Sequence, residues 1–198
     1  MAAAGSFFNF ICTPIALLAS FFVGSCTRSP YFSKFSPIND SSFKGKVIVE
    51  KIEKIDKYRI AIIDSVTGRS DHIFTPYDVF EMETGDVNHD GRTDICIGII
   101  KPTPFDPVLK KRLFIFQIDR DYIRPLWLSS RLVRPLEEFT VLNDKDGCRI
   151  RTIERANPDL FCISEYRWES FGLTFIKILS DSLHYPDAHA LLFKRNNL

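Results

Sequence analysis

The stretch that decides the fold runs from Gly85 to Ile100, GDVNHDGRTDICIGII, where an acidic loop leads directly into an apolar segment. Oxygen-bearing side chains recur at alternate residues of the loop. The segment from Ile95 to Ile100 is apolar at both its even and its odd positions, which is typical of a central strand with both faces buried. This stretch therefore predicts a loop that positions polar side chains beside a buried β-strand.

The spacing of the polar residues in this loop indicates a calcium site. Positions one, three, five and nine are occupied by Asp86, Asn88, Asp90 and Asp94. Calcium takes six to eight oxygen ligands, and alternate residues of a tightly curled loop supply them. Gly91 permits a left-handed turn, and the backbone carbonyl of Arg92 would be the ligand at position seven. The alternative is an acidic Asx-turn that holds no ion.

The residues after the loop exclude an EF-hand. Position twelve is Ile97 rather than glutamate, and a β-rich run follows where an EF-hand continues as helix. The stretch instead resembles the FG-GAP or VCBS repeat, the calcium-loop blade of integrin-type β-propellers, and the resemblance extends from Gly85 to Ile118. It implies that Asp86, Asn88, Asp90 and Asp94 bind calcium and that the domain belongs with extracytoplasmic recognition or scaffold proteins.

Short β-rich runs recur about every ten residues in the rest of the chain, and phenylalanine is abundant at 18 residues. Hairpins are predicted at 46–64 and 113–128, a second series of strands at 139–179, and a long loop at 101–112 because that segment has three prolines. We expect a mainly β, antiparallel fold of one to three propeller-blade-like units. Closed propellers need at least four blades, so a small β-sandwich is the alternative.

The first residues are typical of an exported lipoprotein. Phe7 to Val23 is apolar and uncharged, which indicates a signal-peptide core, and Val23-Gly24-Ser25-Cys26 resembles the bacterial lipobox. We predict a signal peptide at 1–25 and lipidation of Cys26, with two or three acyl chains as the membrane anchor. The alternative is an ordinary secretory signal that is cut nearby. By resemblance, the anchor is expected in the outer membrane, facing the periplasm.

Composition predicts three further segments. Residues 26–42 are rich in Ser and Pro and read as a flexible tether. The β domain is predicted at 43–180 with the calcium loop at 85–100. Residues 181–198 are predicted as a peripheral tail with a short helix at 187–194.

The remaining cysteines leave two interpretations open. Cys148 and Cys162 either pair across adjacent strands in an oxidising compartment or stay buried as free thiols, and Cys96 is expected in the core. Among all cysteines, serines and threonines, none lies in a recognisable nucleophile motif. We therefore expect no enzymatic activity.

Positive charge is concentrated between residues 101 and 134. The eight basic residues there are Lys101, Lys110, Lys111, Arg112, Arg120, Arg124, Arg131 and Arg134, against three aspartates. The aromatic residues nearby are Phe105, Tyr122 and Trp127. This excess suits an anionic glycan, a phospholipid head group or an acidic partner, or it is a set of solvated charges that protect strand edges.

The whole chain is nearly neutral, with 26 basic and 25 acidic residues, so nucleic acid is not an expected partner. The sequence predicts a calcium-stabilised envelope lipoprotein that binds a protein or a glycan. A structural accessory subunit of an envelope complex is the alternative, and a hydrolase comes third because no motif supports it.

Overall fold

A computed structural model of the protein describes Met1 and residues 31–104, 106–128, 132–144 and 147–194. These residues form twelve β-strands, a single turn of 3-10 helix at Glu53–Ile55 and one short α-helix. Among them, no helix is long and apolar enough to cross a bilayer. The strands make three four-stranded antiparallel sheets, in each of which the strands follow one another in chain order. The prediction of a mainly β, antiparallel fold is confirmed.

The first sheet contains β1 (Lys34–Asn39), β2 (Lys44–Ile52), β3 (Lys57–Asp64) and β4 (Ser70–Thr75). Buried and more exposed side chains alternate along β2, in which Val47 and Val49 are fully buried and their neighbours are more exposed. Because successive side chains of a strand point to opposite faces, the two valines mark the inner face of this sheet. Asp56 has a left-handed backbone between β2 and β3, which allows the tight return of the chain.

The second sheet contains β5 (Val79–Gly85), β6 (Asp94–Thr103), β7 (Asp106–Asp119) and β8 (Tyr122–Trp127). Strand β6 lies between β5 and β7, as predicted for an apolar run with two buried faces. Ile95, Ile97 and Ile99 of β6 belong to the core shared with the first sheet, whereas Cys96 belongs to the core shared with the third. The second sheet is therefore the middle layer of the protein.

The third sheet contains β9 (Leu136–Asp144), β10 (Gly147–Arg155), β11 (Phe161–Glu169) and β12 (Gly172–Leu183), and the helix α1 (Tyr185–Leu192) follows it. Ala188 and Leu192 of α1 are fully buried against this sheet. Nη1 of Arg151 donates to the backbone oxygens of Leu192 (3.3 Å) and Lys194 (2.6 Å) at the C-terminal end of α1, where a cation is favourable.

Two boundaries in the predicted organisation were wrong. Part of the predicted tether is strand β1, because Ile38 enters the core and Lys34 forms ion pairs with Glu81 (2.9 Å) and Glu83 (3.1 Å). The C-terminal tail is not peripheral at α1, which covers the outer face of the third sheet. The helix lies two residues earlier than predicted. The predicted signal peptide, apart from Met1, and residues 26–30 with the predicted lipidation site at Cys26 lie outside the described residues.

The predicted long loop at 101–112 was also wrong, since β6 and β7 continue through it as a hairpin. Lys101 pairs with Lys110, and Thr103 pairs with Asp106. The ladder is irregular between Lys101 and Thr103, which accommodates Pro102 because a proline has no N–H to offer a regular ladder. This extended hairpin forms one side of the cleft described below.

Candidate functional site

The acidic loop connects β5 to β6 and is closed by hydrogen bonds from its own backbone. Asp86 accepts from the N–H groups of Asp90 (3.0 Å) and Gly91 (2.9 Å). Asn88 accepts from the N–H of Asp90 (3.2 Å), and Asp90 accepts from the N–H of Arg92 (2.9 Å). Gly91 has a φ of +82°, the left-handed conformation that its predicted role requires.

Asp94 lies at the base of this loop and is fully buried. Its Oδ2 accepts from the N–H of Val87 (3.0 Å) and, at 3.4 Å, from that of Asn88. Its Oδ1 is buried with no hydrogen-bond partner. The pKa of Asp94 is raised to about 7, chiefly by burial and also by the neighbouring charges of Asp90 and Asp86, while the hydrogen bonds from Val87 and Asn88 oppose the shift.

The donor set partly fits a calcium ion. Carboxylate, amide and carbonyl oxygens are the ligands that calcium prefers, and an orphaned buried carboxylate oxygen is a group that a cation would satisfy. Among the described residues, no group of three or more His, Cys, Asp or Glu side chains is close enough together to hold a metal ion. The oxygens of Asp86 and Asn88 each accept one backbone N–H and keep a second lone pair for a cation, so ion binding requires the acidic side chains of the loop to come closer together.

Two neighbouring turns fix the position of the loop. Oδ2 of Asp40, in the turn between β1 and β2, accepts from the N–H of Thr93 (2.8 Å). His89, with a φ of 63°, lies against Gly147, the first residue of β10, where an added Cβ would come within 2.4 Å of the His89 ring. All three sheets therefore meet at this loop.

Of the two interpretations left open for Cys148 and Cys162, the structure shows the buried free thiols and not the disulfide. Both residues, like Cys96, are buried free thiols. In the pairing of β10 with β11, Cys162 lies opposite Glu154, six residues along β10 from Cys148. Six residues of strand span roughly 20 Å, whereas a disulfide needs Cα atoms within about 7 Å. Burial raises the pKa of Cys148 to about 12, assisted by Asp86, Asp94 and Asp144, so this thiol is unreactive.

A second candidate site is a cleft between the first two sheets and the segment that enters β9. Its volume is about 1030 Å³, at the upper end of the range for small-molecule sites. The basic residues that line it are Lys101, Lys110, Lys111, Arg112 and Arg134. The apolar residues in its walls include Ile73, Phe74, Ile99, Phe114, Leu128 and Leu132.

The cations of the cleft outnumber its carboxylates. Of the described residues, Asp106 is the only acid that lines the cleft. It accepts from both Lys110 (3.0 Å) and Arg112 (3.0 Å). These two hydrogen bonds lower the pKa of Asp106 to about 2, so it is ionised at neutral pH. Lys111 and Arg134 are paired with Glu137 (3.1 Å) and Asp181 (3.4 Å), which lie outside the cleft lining. The excess positive charge of the cleft therefore comes from Lys101, Lys110 and Arg112 against Asp106.

Lys101 differs from the other cleft cations. Its Nζ lies 5.5 Å from the ring centroid of Tyr77 and 5.1 Å from that of Phe114. Within the described ranges it forms no ion pair with a carboxylate. Two aromatic faces hold the ammonium group in place while leaving its donors available.

A buried polar network supports the segment that enters β9. Glu154 accepts from the hydroxyls of Tyr166 (2.6 Å) and Thr152 (2.8 Å) and from the N–H of Arg134 (2.9 Å). The hydroxyl of Tyr166 accepts from the N–H of Val133 (3.0 Å). This wall of the cleft is therefore fixed by residues far away in sequence.

The cleft is lined by five of the eight basic residues that the sequence places between positions 101 and 134. Arg120 and Arg124 lie on the turn and strand at the other end of β7, and Trp127 is buried in the core. Arg131 and Phe105 lie outside the described residues. Sequence reasoning missed the apolar walls, because Ile73 and Phe74 come from the first sheet and no local pattern joins them to the cations.

No protein-family model, curated protein or solved structure matches this chain.

Proposed function

We propose that this protein is a calcium-stabilised binding module of the bacterial cell envelope, anchored through lipid at Cys26, that recognises a protein or a glycan. The observation that carries the proposal is the buried Oδ1 of Asp94, which lacks a partner beneath a loop of oxygen-bearing side chains. A calcium ion bound by Asp86, Asn88, Asp90, the carbonyl of Arg92 and Asp94 would satisfy it.

Two features of the structure support the proposal of a binding module beyond its calcium site. Each sheet is a four-stranded meander in chain order, which is the strand plan expected of an FG-GAP-like blade. The positively charged cleft provides a surface for an acidic ligand. The envelope location rests on the signal sequence and on the lipobox-like residues before Cys26. The role is proposed as non-catalytic because the sequence contains no nucleophile motif.

Thermal unfolding tests the calcium site. With calcium at about 100 times its Kd, mass action stabilises the folded state by about 2.7 kcal/mol, which raises Tm by roughly 5 to 10 °C in a chain of this size. We expect Asp86→Ala and Asp90→Ala to abolish the rise. Asp159→Ala is the matched control, because Asp159 is an exposed loop aspartate outside the site. A Tm that is the same in calcium and in chelator would refute the proposal.

A second candidate function, a structural accessory subunit, is favoured by the outer face of the first sheet. Phe35, on the edge strand β1, is 69% exposed, and it is paired with Ile48 of β2. Exposed apolar surface of this kind marks protein contacts. Recovery of a stoichiometric protein partner that is lost with Phe35→Ser would favour the accessory role, whereas hits on a glycan array would favour glycan recognition.

A further inference from the structure

We propose that the cleft binds one anionic amphiphile, a molecule with a carboxylate or phosphate head group and an apolar body. The inference rests on the proposed role as a binding module and names a ligand class for its cleft. Its basis is a cavity of about 1030 Å³ that combines apolar walls with the cations Lys101, Lys110 and Arg112, whose carboxylate partner among the described residues is Asp106 alone.

The apolar part of the ligand would contact walls that are exposed at the cleft mouth. Leu128 is 58% exposed and Phe74 is 46% exposed, and both line the cleft. Deeper in the cleft the lining includes Phe114, which is 5% exposed. An alkyl chain lying between these side chains removes apolar surface from water on both partners.

The head group would be held by the cations on the β6–β7 hairpin. Lys101 is directed by two aromatic rings and forms no ion pair among the described residues. Lys110 and Arg112 share the carboxylate of Asp106, so two cations divide one negative charge and retain donors for a second anion. Charge-assisted hydrogen bonds from several donors favour a compact oxyanion over a neutral head group.

The same features disfavour other ligands. A small inorganic anion would leave the apolar walls exposed to water, and a neutral amphiphile would leave the excess positive charge uncompensated. A molecule that is anionic at one end and apolar at the other satisfies both regions at once. Fatty-acid-like carboxylates and lipid phosphates share this chemistry.

Calorimetric titration of the calcium-saturated protein in zwitterionic nanodiscs tests the inference, with protein-free nanodiscs as the blank for partitioning. The probes are octyl phosphate, octanoate, octyl glucoside and inorganic phosphate. We expect saturable binding of octyl phosphate, octanoate or both, with affinity at least about tenfold above that of octyl glucoside or inorganic phosphate. Comparison of octyl phosphate with octanoate identifies whether a phosphate or a carboxylate is the preferred head group.

Two variants locate the binding site. Lys101→Gln should weaken binding of the anionic amphiphile about tenfold, because one charge-assisted contact is lost. Leu128→Ser should weaken it several-fold through lost apolar contact. Lys177→Gln and Phe171→Ser are the matched controls, since both residues are exposed and lie outside the cleft, and each should stay within about twofold of the parent protein.

Equal affinity for octyl phosphate and octyl glucoside would overturn the inference, as would equal affinity for octyl phosphate and inorganic phosphate. Unchanged binding in both Lys101→Gln and Leu128→Ser would also overturn it. If only an acidic peptide or a glycan binds the cleft, the amphiphile inference fails while the proposed binding module stands. Loss of the calcium-dependent rise in Tm would instead count against the module itself.

Discussion

Asp94 in the second sheet and Glu154 in the third are both fully buried carboxylates, and they differ in how the protein satisfies them. Glu154 accepts three hydrogen bonds, from Tyr166, Thr152 and Arg134, and both of its oxygens are used. Asp94 has one oxygen with two backbone donors and one oxygen with none. The comparison separates a carboxylate whose partners are all supplied by the protein from one that keeps an oxygen for the calcium ion we propose.

A third buried carboxylate, Glu165, shows that an orphaned oxygen alone is not decisive. Its Oε2 also lacks a hydrogen-bond partner, but Glu165 forms an ion pair with Arg151 at 2.9 Å, and Oε2 lies 3.9 Å from Nη1 of Arg149. Positive charge therefore compensates Glu165. The charges that act on Asp94 belong to Asp86 and Asp90, so a cation is what its surroundings lack.

The largest loss of stability is expected at Glu154, because the protein itself supplies all of its hydrogen-bond partners. Glu154→Ala would leave two hydroxyls and one backbone N–H without their acceptor, at a cost of about 3 kcal/mol or more. In a chain of this size the expected fall in Tm is roughly 6 to 12 °C. The measurement is thermal unfolding in chelator, where calcium plays no part.

Glu154→Gln is the matched variant, because it keeps one acceptor oxygen and the side-chain volume. We expect its Tm to lie between those of the parent protein and Glu154→Ala. If Glu154→Ala leaves Tm unchanged, the carboxylate does not have the structural role assigned to it.

The smallest effect is expected at Asp40, a carboxylate that is only partly buried. Burial by itself would raise the pKa of Asp40, but the N–H groups of Ser42, Thr93 and Phe43 outweigh it and lower the pKa to about 2. A lowered pKa contributes stability above the unfolded-state value near 4, and that stability is lost as the pH falls from about 4 to about 2. After allowance for solvent screening, the contribution is about 1 kcal/mol.

Urea unfolding at pH 7 and at pH 2.5 tests this assignment. Asp40→Asn can keep the acceptor for Ser42 and Phe43 but replaces the oxygen that accepts from Thr93 by an NH2 donor, and it loses the charge. We expect it to be less stable than the parent protein at pH 7, and the difference to be smaller at pH 2.5, where part of the charge-dependent stability is lost. A difference in unfolding free energy that is the same at both values of pH would contradict the prediction.

The features predicted correctly from the sequence depend on residues that are close together in the chain. The β-rich runs at 46–64 indicated a hairpin, and the apolar run from Ile95 to Ile100 indicated a central strand with both faces buried. The position of Gly91 indicated the left-handed turn of the loop. Each of these patterns arises within a few residues, because strand geometry and turn geometry are local.

The features that the sequence did not reveal depend on contacts between distant segments. Strand β1 was mistaken for a tether because its pairing with β2 and the ion pairs of Lys34 lie outside the local pattern. Pro102, Pro104 and Pro107 suggested a loop, although a ladder irregularity accommodates Pro102 in the β6–β7 hairpin. The cleft combines the first sheet, this hairpin and the start of β9, and no sequence window spans all three.

The most direct test of the calcium proposal is a crystal structure grown with calcium, in which the distance from the ion to Oδ1 of Asp94 is measured. We predict a bound ion at about 2.3 to 2.6 Å from this oxygen, with Asp86, Asn88 and Asp90 also turned toward it. An empty loop, or an ion held elsewhere with Oδ1 still unpartnered, would contradict the proposal.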